Sequence, residues 1–165
     1  MKGVDVLFVV DELRRAGVTV YVAGGWGVDA LVGRQTRAHA DLDLSFDATQ
    51  EALAVRRMRE LGFATELDQR PTRLVMLDTH GRVVDLHPVQ FAADGSGVLP
   101  GFNGDEFHYP ADGFTTGRVA GRNVPCISAE LQMRFHQGYQ HRDVDRQDVA
   151  TLRRHLRRLP PLAEP

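Results

Sequence analysis

The sequence predicts an α/β (α+β) protein with a mixed sheet and helices gathered at its C-terminal end. Three observations carry that prediction. "VTVYVA", from Val18 to Ala23, is β-branched and aromatic and reads as a buried strand. "DLDLSF" alternates, with Leu42, Leu44 and Phe46 on one face and Asp41, Asp43 and Ser45 on the other. Helical patterns bracket these strands, first at Val6, Leu7, Val9, Val10 and Leu13, and last beyond Ser128.

Taken in order, the first helix should stop at Gly17, a natural residue for the position just past a helix. A short helix from Trp26 to Leu31 is opened by Gly24 and Gly25 and closed near Gly33. After "DLDLSF" a helix is expected from about Thr49 to Leu61, then a short strand in "FATEL". "RLVMLDTHGRVVDLHPV" predicts a hairpin turning at Thr79–Arg82, with Val84 and Leu86 opposite Asp85 and His87. Residues 92–117, rich in Gly, Pro and aromatics, read as a long ordered loop with at most short strands, and such loops are more often functional or mobile than filler. "GRVAGRNVPCI" predicts a hairpin around Gly121. Ser128 should cap a helix from Ala129 to about Gln140, and a last helix should run from about Asp143 to Leu159, ended by Pro160 and Pro161.

The chain has 165 residues, which suits one domain, with a sheet-containing core over about 1–127 and C-terminal helices over about 128–160. Its 42% hydrophobic and 25% charged residues place it among soluble globular proteins. The net charge of -2 argues against a general nucleic-acid binder, which would carry a basic surplus. The apolar run near the N-terminus is interrupted by Asp5, Asp11 and Glu12, too short and acidic for a signal peptide or membrane span. Cytoplasmic location is the default expectation. One cysteine, Cys126, excludes an intramolecular disulfide and reads as a small buried residue.

Chemistry is concentrated in "GGWGVDALVGRQTRAHADLDLSF". Asp41 and Asp43 project from one face of a strand, and Asp85 sits on the polar face of another. Three such carboxylates would suit magnesium, which prefers oxygen ligands and is usually shared with substrate phosphates. A two-ion site is the natural extension. The bland alternative is a solvated strand face. The glycine-rich turn weighs against it, because it exposes backbone N–H groups at a helix N-terminus, where phosphate binds.

The order strand, glycine turn, short helix, D-x-D strand and later strand with a third aspartate resembles the polymerase-beta-type nucleotidyltransferase fold. "GGWGVDALVGRQTRAHADLDLSFD" is similar to the signature of the small antibiotic nucleotidyltransferases, which comprise lincosamide enzymes and related aminoglycoside 2″-nucleotidyltransferases. "VVDLHPV", "FTTGRVAGRNVPCISAELQMRFHQGY" and "RDVDRQDV" resemble the lincosamide branch. The resemblance spans about Val18 to Leu152.

It implies a magnesium-dependent enzyme that moves a nucleoside monophosphate from ATP or GTP to an antibiotic hydroxyl. Asp41 and Asp43 would hold magnesium, and Asp85 would bind a second ion or act on the acceptor hydroxyl. Backbone N–H groups around Gly24, Gly25 and Trp26 would meet the β- and γ-phosphates, with Arg37 and His39 as basic helpers. The Trp26 ring has two readings, core plug or ligand contact. Arg34 or Arg37 has a structural alternative, pairing with Asp29. His87 would orient Asp85 or the acceptor, or be an ordinary strand histidine. Glu130, on a stripe with Arg134 and Gly138, is a candidate acceptor contact, with a solvated residue as its alternative. Leu131 and Phe135 should face the core, and Asp145, Arg146 and Asp148 should make surface pairs.

Phe102, Phe107, Tyr109 and Phe114 would offer aromatic walls to a lincosamide. Asp94, Asp105, Glu106 and Asp112 in the same stretch keep a polycationic aminoglycoside open. Two further readings are a toxin–antitoxin-type enzyme modifying a protein hydroxyl, and a non-catalytic nucleotide-binding module. Clustered repelling carboxylates speak against the latter. A homodimer is expected from a short chain with an open pocket.

Overall fold

The computed structural model of the chain describes residues 1–137 and 139–158. The apolar heptad-like stripe of the first segment forms α1 (Gly3–Arg15), and Gly17 leaves it with φ 89°. β1 (Val20–Val22) follows, narrower than the expected strand, and α2 (Gly24–Val32) closes on Gly33 at φ 75°. Gly24 and Gly25 are thus the first residues of the helix rather than a loop ahead of it. β2 (Asp41–Asp47) buries Leu42, Leu44 and Phe46 completely, as the alternation predicts.

A 3-10 turn at Ala48–Gln50, capped by Asp47, leads into α3 (Glu51–Glu60). β3 (Ala64–Gln69) is exposed throughout and pairs with β4 (Arg73–Leu77), which pairs with β5 (Val83–Phe91). Residues 92–117 carry the short strands that the sequence reading allowed for. Hairpin strands β6 (Gly97–Pro100) and β7 (Glu106–Tyr109) pair with each other, and β8 begins at Phe114 (Phe114–Val119). Four-residue strands flanked by Gly and Pro are too short to display an alternating pattern. β8 turns through Ala120 and Gly121, both at positive φ, into β9 (Arg122–Ile127).

Ser128 caps α4 (Ala129–Phe135) by accepting from Leu131 N. This helix ends about five residues before the expected point. The His136 imidazole donates from Nδ1 to the Gln132 carbonyl at 2.8 Å, and Gln137 N turns back to Arg134 O. α5 (Asp143–Leu156) completes the described fold, and the expected helix end at Leu159–Pro161, like Gly138, lies outside the described residues. Among the described residues no helix is long and apolar enough to cross a membrane.

The sheet order is β3-β4-β5-β2-β1-β9-β8, with β6 and β7 running on from β5. β2/β5 and β1/β9 are parallel and the other pairs antiparallel, so the sheet is mixed. Leu42, Leu44, Phe46, Val84 and Leu86 form one core with Val6 and Leu13 of α1 and Ala54 and Met58 of α3. Val28 of α2 packs instead with Ala129 of α4 and Leu152 of α5. Helix α2 therefore joins the sheet to the C-terminal helices, and the polar side of β2 and β5 is left for a cleft.

α2 lies unusually close to β8, because a Cβ built on Gly117 would stand 2.5 Å from the Ala30 carbonyl oxygen. Gly117→Ala must push the helix away. The expected cost is about 1–3 kcal/mol, as for other overpacked interiors, read as a Tm several degrees lower. An unchanged Tm would contradict this contact.

Candidate active site

β2 and β5 run side by side in a register that sets Asp43 directly against Asp85, and Ser45 against His87. His87 Nε2 lies 3.4 Å from Asp43 Oδ1 and 3.7 Å from Asp85 Oδ1. One ligand atom from each of these three residues fits within 4.8 Å of the others. Asp41 shares their face and the same cleft but stands outside this tight group, one strand repeat of roughly 6–7 Å away.

Asp85 is only 5% exposed; its Oδ2 accepts from Arg73 Nη1 at 2.9 Å, while its buried Oδ1 has no hydrogen-bond partner. Burial raises the Asp85 carboxyl above the usual range, against the lowering charges of His87 and Arg73. Desolvation in the cleft also raises Asp41, helped by the charge of Asp43. Burial alone would lower His87, but the hydrogen bond to Asp43 and the charges of Asp85 and Asp43 outweigh it, and its net shift is upward.

The first turn of α2 leans on these acids. Gly24 has φ 54°, and a Cβ there would lie 2.0 Å from Asp43 Oδ2. A Cβ on Gly25 would meet Arg37 Nη2 and His39 Nδ1, each at 2.4 Å. Gly27 N is bonded to Ala23 O, so the N–H groups of Gly24, Gly25 and Trp26 come before the first intrahelical bond. They carry the positive end of the helix dipole at the cleft.

Several expectations need correction here. The Trp26 side chain is 3% exposed in the core, 4.6 Å from the His39 ring, so only its backbone is available to a ligand. His39 is buried against Asp29 and supports the turn from behind rather than walling the cleft. Asp29 is structural, as expected, and also accepts from Thr36 N. Arg37 reaches the turn, but its partner is not Asp29. Its Nε and Nη2 grip Asp148 at 2.9 and 2.6 Å, which raises the guanidinium's already high pKa.

Asp148 and Asp145 are therefore not surface residues. They are 2% and 5% exposed, and Asp145 is held by Arg142. Arg146 does make a surface pair, with Asp143. Glu130 points to solvent outside the cleft, because the Ser128 cap turns Leu131 and Gln132 inward instead. Phe135 packs on the core cluster of Leu99, Tyr109 and Leu131, as expected, and also lines the cleft.

The cleft has a volume of about 430 Å³ and two unlike ends. Leu99, Phe102, Phe107, Tyr109 and Phe135 line one, with Phe135 packed 4.9 Å from Tyr109 and 5.8 Å from Phe107. Tyr109 OH meets Ser45 Oγ at 3.1 Å, and burial pushes its phenol up to about 12. Phe114 stacks behind Tyr109 without reaching the cleft. Arg37, Gln132, His136, Tyr139, Arg142, Asp145 and Asp148 line the other end, and the β2/β5 acids lie between.

Sequence reasoning missed Arg73, Gln132, Phe135 and Asp148. A signal for the last was present. Asp145 and Asp148 occupy the same i, i+3, i+4, i+7 stripe as Val149 and Leu152, and charges on an apolar stripe need buried partners.

A helix N-terminus beside carboxylates on paired central strands is the arrangement that the resemblance to nucleotidyltransferases implied. The comparisons agree. The sequence profile described as aminoglycoside-2''-adenylyltransferase matches residues 5–152. The lincosamide resistance protein of Staphylococcus haemolyticus is 31% identical over 90% of this chain and 92% of its own length. A 2''-aminoglycoside nucleotidyltransferase of Escherichia coli is 29% identical over 76% of this chain and 65% of its own. The crystal structure of lincosamide antibiotic adenylyltransferase LnuA, lincomycin-bound, superposes with TM-score 0.81 at 31% identity, covering 90% of this chain and 94% of that one. ANT(2'')-Ia in complex with adenylyl-2''-tobramycin shares the fold, at TM-score 0.76 and 18% identity over 93% of this chain and 88% of that one. The chain belongs to the aminoglycoside-2''-adenylyltransferase family, and it is an enzyme of the nucleotidyltransferase class.

Because Gly24 touches Asp43, Gly24→Ala should misplace the acid by about an ångström, a shift worth on the order of 100-fold in rate. Turnover should fall at least that far with the fold retained by circular dichroism. Full activity would mean that the turn and the acid are independent.

Proposed function

We propose that this nucleotidyltransferase transfers a nucleoside monophosphate from a magnesium-bound triphosphate, ATP or GTP, to a hydroxyl of a lincosamide antibiotic. The observation that carries the reading is the in-register Asp43–Asp85 pair beside the open first turn of α2.

The residues fit a divalent cation. Asp85 Oδ1 is buried without a hydrogen-bond partner, and Asp43, Asp85 and His87 converge. Asp85, Asp145 and Asp148 each have an arginine, whereas among the described residues Asp41 and Asp43 have none. Asp41, Asp43 and Asp85 would hold magnesium, which prefers oxygen donors and when bound supplies charge neutralisation along the triphosphate. His87 would orient the two carboxylates it touches.

The chain's own residues do the positioning. First-turn N–H groups of Gly24, Gly25 and Trp26 bind the β- and γ-phosphates. Arg37 braces that turn through Asp148 and adds positive charge beside it. The acceptor lies along the aromatic end, its hydroxyl directed at the α-phosphorus. A bond forms from the acceptor oxygen to phosphorus, the bond from phosphorus to the pyrophosphate oxygen breaks, and pyrophosphate leaves. Asp85, whose Oδ1 has no hydrogen-bond partner, takes the hydroxyl proton.

The aromatic wall supports a lincosamide, an alkylated proline joined to a thio-sugar. Asp94, Asp105, Glu106 and Asp112 all stay out of the cleft, and the buried acids at its far end are neutralised by arginines. A polycationic aminoglycoside would call for unpaired acids there. The matches to the lincosamide resistance protein and to LnuA point the same way. We place the activity in the cytoplasm and read the chain as a homodimer.

Incubation with Mg²⁺ and ATP or GTP, separately with lincomycin, clindamycin and kanamycin, tests this by mass spectrometry. A nucleotidyl mass gain is expected on the lincosamides. Gain on kanamycin alone would transfer the assignment to aminoglycosides, and no gain on any would direct the search to protein hydroxyls. EDTA should stop the reaction and Mg²⁺ restore it. Asp43→Asn should abolish turnover while Tm is retained; an active variant would remove this acid from the site.

A further inference from the structure

Gln132 is 1% exposed in α4, and its Nε2 donates to the Gly24 carbonyl oxygen at 3.1 Å. That hydrogen bond joins two elements 108 residues apart in sequence. Its geometry is specific. A Cβ on Gly27 would stand 2.1 Å from Gln132 Nε2, so the absence of a side chain at 27 is what admits the amide. The Ser128 cap and the Val28–Ala129–Leu152 cluster hold α4 against α2, which fixes the point from which Gln132 reaches.

The Gly24–Gly25 peptide is trans and planar, so the N–H of Gly25 points opposite to the carbonyl of Gly24. Whatever holds that carbonyl therefore aims that N–H. Inside a helix that begins at Gly24 this carbonyl also faces the N–H of Val28, and the Gln132 amide is the donor that reaches it from outside the helix, at a residue whose φ of 54° and missing side chain leave its plane easily tilted. We propose that Gln132 is a positioning residue for nucleotide: by gripping the Gly24 carbonyl it locks the Gly25 N–H towards the triphosphate. The inference rests on the reading that the first turn of α2 binds phosphates. It assigns the C-terminal helices a part in nucleotide affinity as well as in closing the cleft.

A plainly structural glutamine would lower stability when removed and leave the two substrates equally affected. A positioning glutamine acts on one substrate. Gln132→Met keeps the length and apolar contacts but has no N–H to donate. Calorimetry with Mg·ATP and Mg·GTP, without acceptor, should show nucleotide binding weakened about tenfold, as for a misaligned hydrogen bond to a charged group. KM for the nucleotide should rise with it, and KM for lincomycin should stay within about twofold, because the amide acts on the first turn of α2. Gly27→Ala, whose Cβ displaces the same amide and also presses on the Val22 carbonyl, should reproduce the selective loss of nucleotide binding with a lower Tm of its own. Variants that bind nucleotide like the wild type would overturn the inference and leave the phosphate reading intact. Equal weakening of both substrates with a lowered Tm would overturn it too. A wild-type protein that binds neither nucleotide would remove the phosphate reading itself, and this inference with it.

Discussion

Two carboxylates set opposite each other on neighbouring parallel strands repel, and the Asp43–Asp85 pair does so in a half-buried cleft. At about 4 Å in an effective dielectric of 20, like charges oppose each other by roughly 4 kcal/mol. That is a large share of the about 5–15 kcal/mol by which folded proteins are stable. The surroundings reflect the load: Arg73 binds Asp85, His87 stands between the two acids, and the N-terminus of α2 abuts Asp43. The fold tolerates the repulsion because the β2/β5 register is enforced from the opposite face. There Leu42, Leu44, Val84 and Leu86 are fully buried, and a slip of one residue would put them in the cleft.

The same economy of position recurs along the polar end. Asp148 of α5 holds Arg37 from the segment before β2, and Asp145 holds Arg142. Each pair neutralises a buried charge that would otherwise be expensive, and the long-range pair also sets α5 beside the first turn of α2. The aromatic end is assembled from the β6/β7 hairpin and α4, which meet through Tyr109, Phe107 and Phe135. One cleft thus has a charged half and an aromatic half, built from elements distant in sequence.

How much of this was legible depended on distance along the chain. The alternation of β2 and β5 placed Asp43, Asp85 and His87 on one face, and local spacing was enough for that. The glycine turn was legible for the same reason, although Gly24 and Gly25 proved to be inside the helix. Arg37 and His39 were correctly drawn towards that turn, but their partners, Asp148 and Asp29, could not both be read from neighbours in sequence. Glu130 took its solvated alternative and Gln132 was overlooked because the cap at Ser128 decides which side of α4 faces α2. The stretch at 92–117 was read as an ordered loop with at most short strands, and β6 and β7 could not be placed in it because four residues are below the length at which periodicity is visible.

The parallel partnership of β2 and β5 has a consequence for how the protein comes to be active. Between Asp47 and Val83 the chain makes a full excursion through α3, β3 and β4 before the second acid can be delivered beside the first. Contacts of such high sequence separation are expected to form late, since loop closure must precede any gain from pairing. A nascent or partly folded chain would hold the D-x-D strand without its counterpart, and so would have no competence to grip a nucleotide. Catalytic competence and completion of the sheet are on this view a single cooperative event.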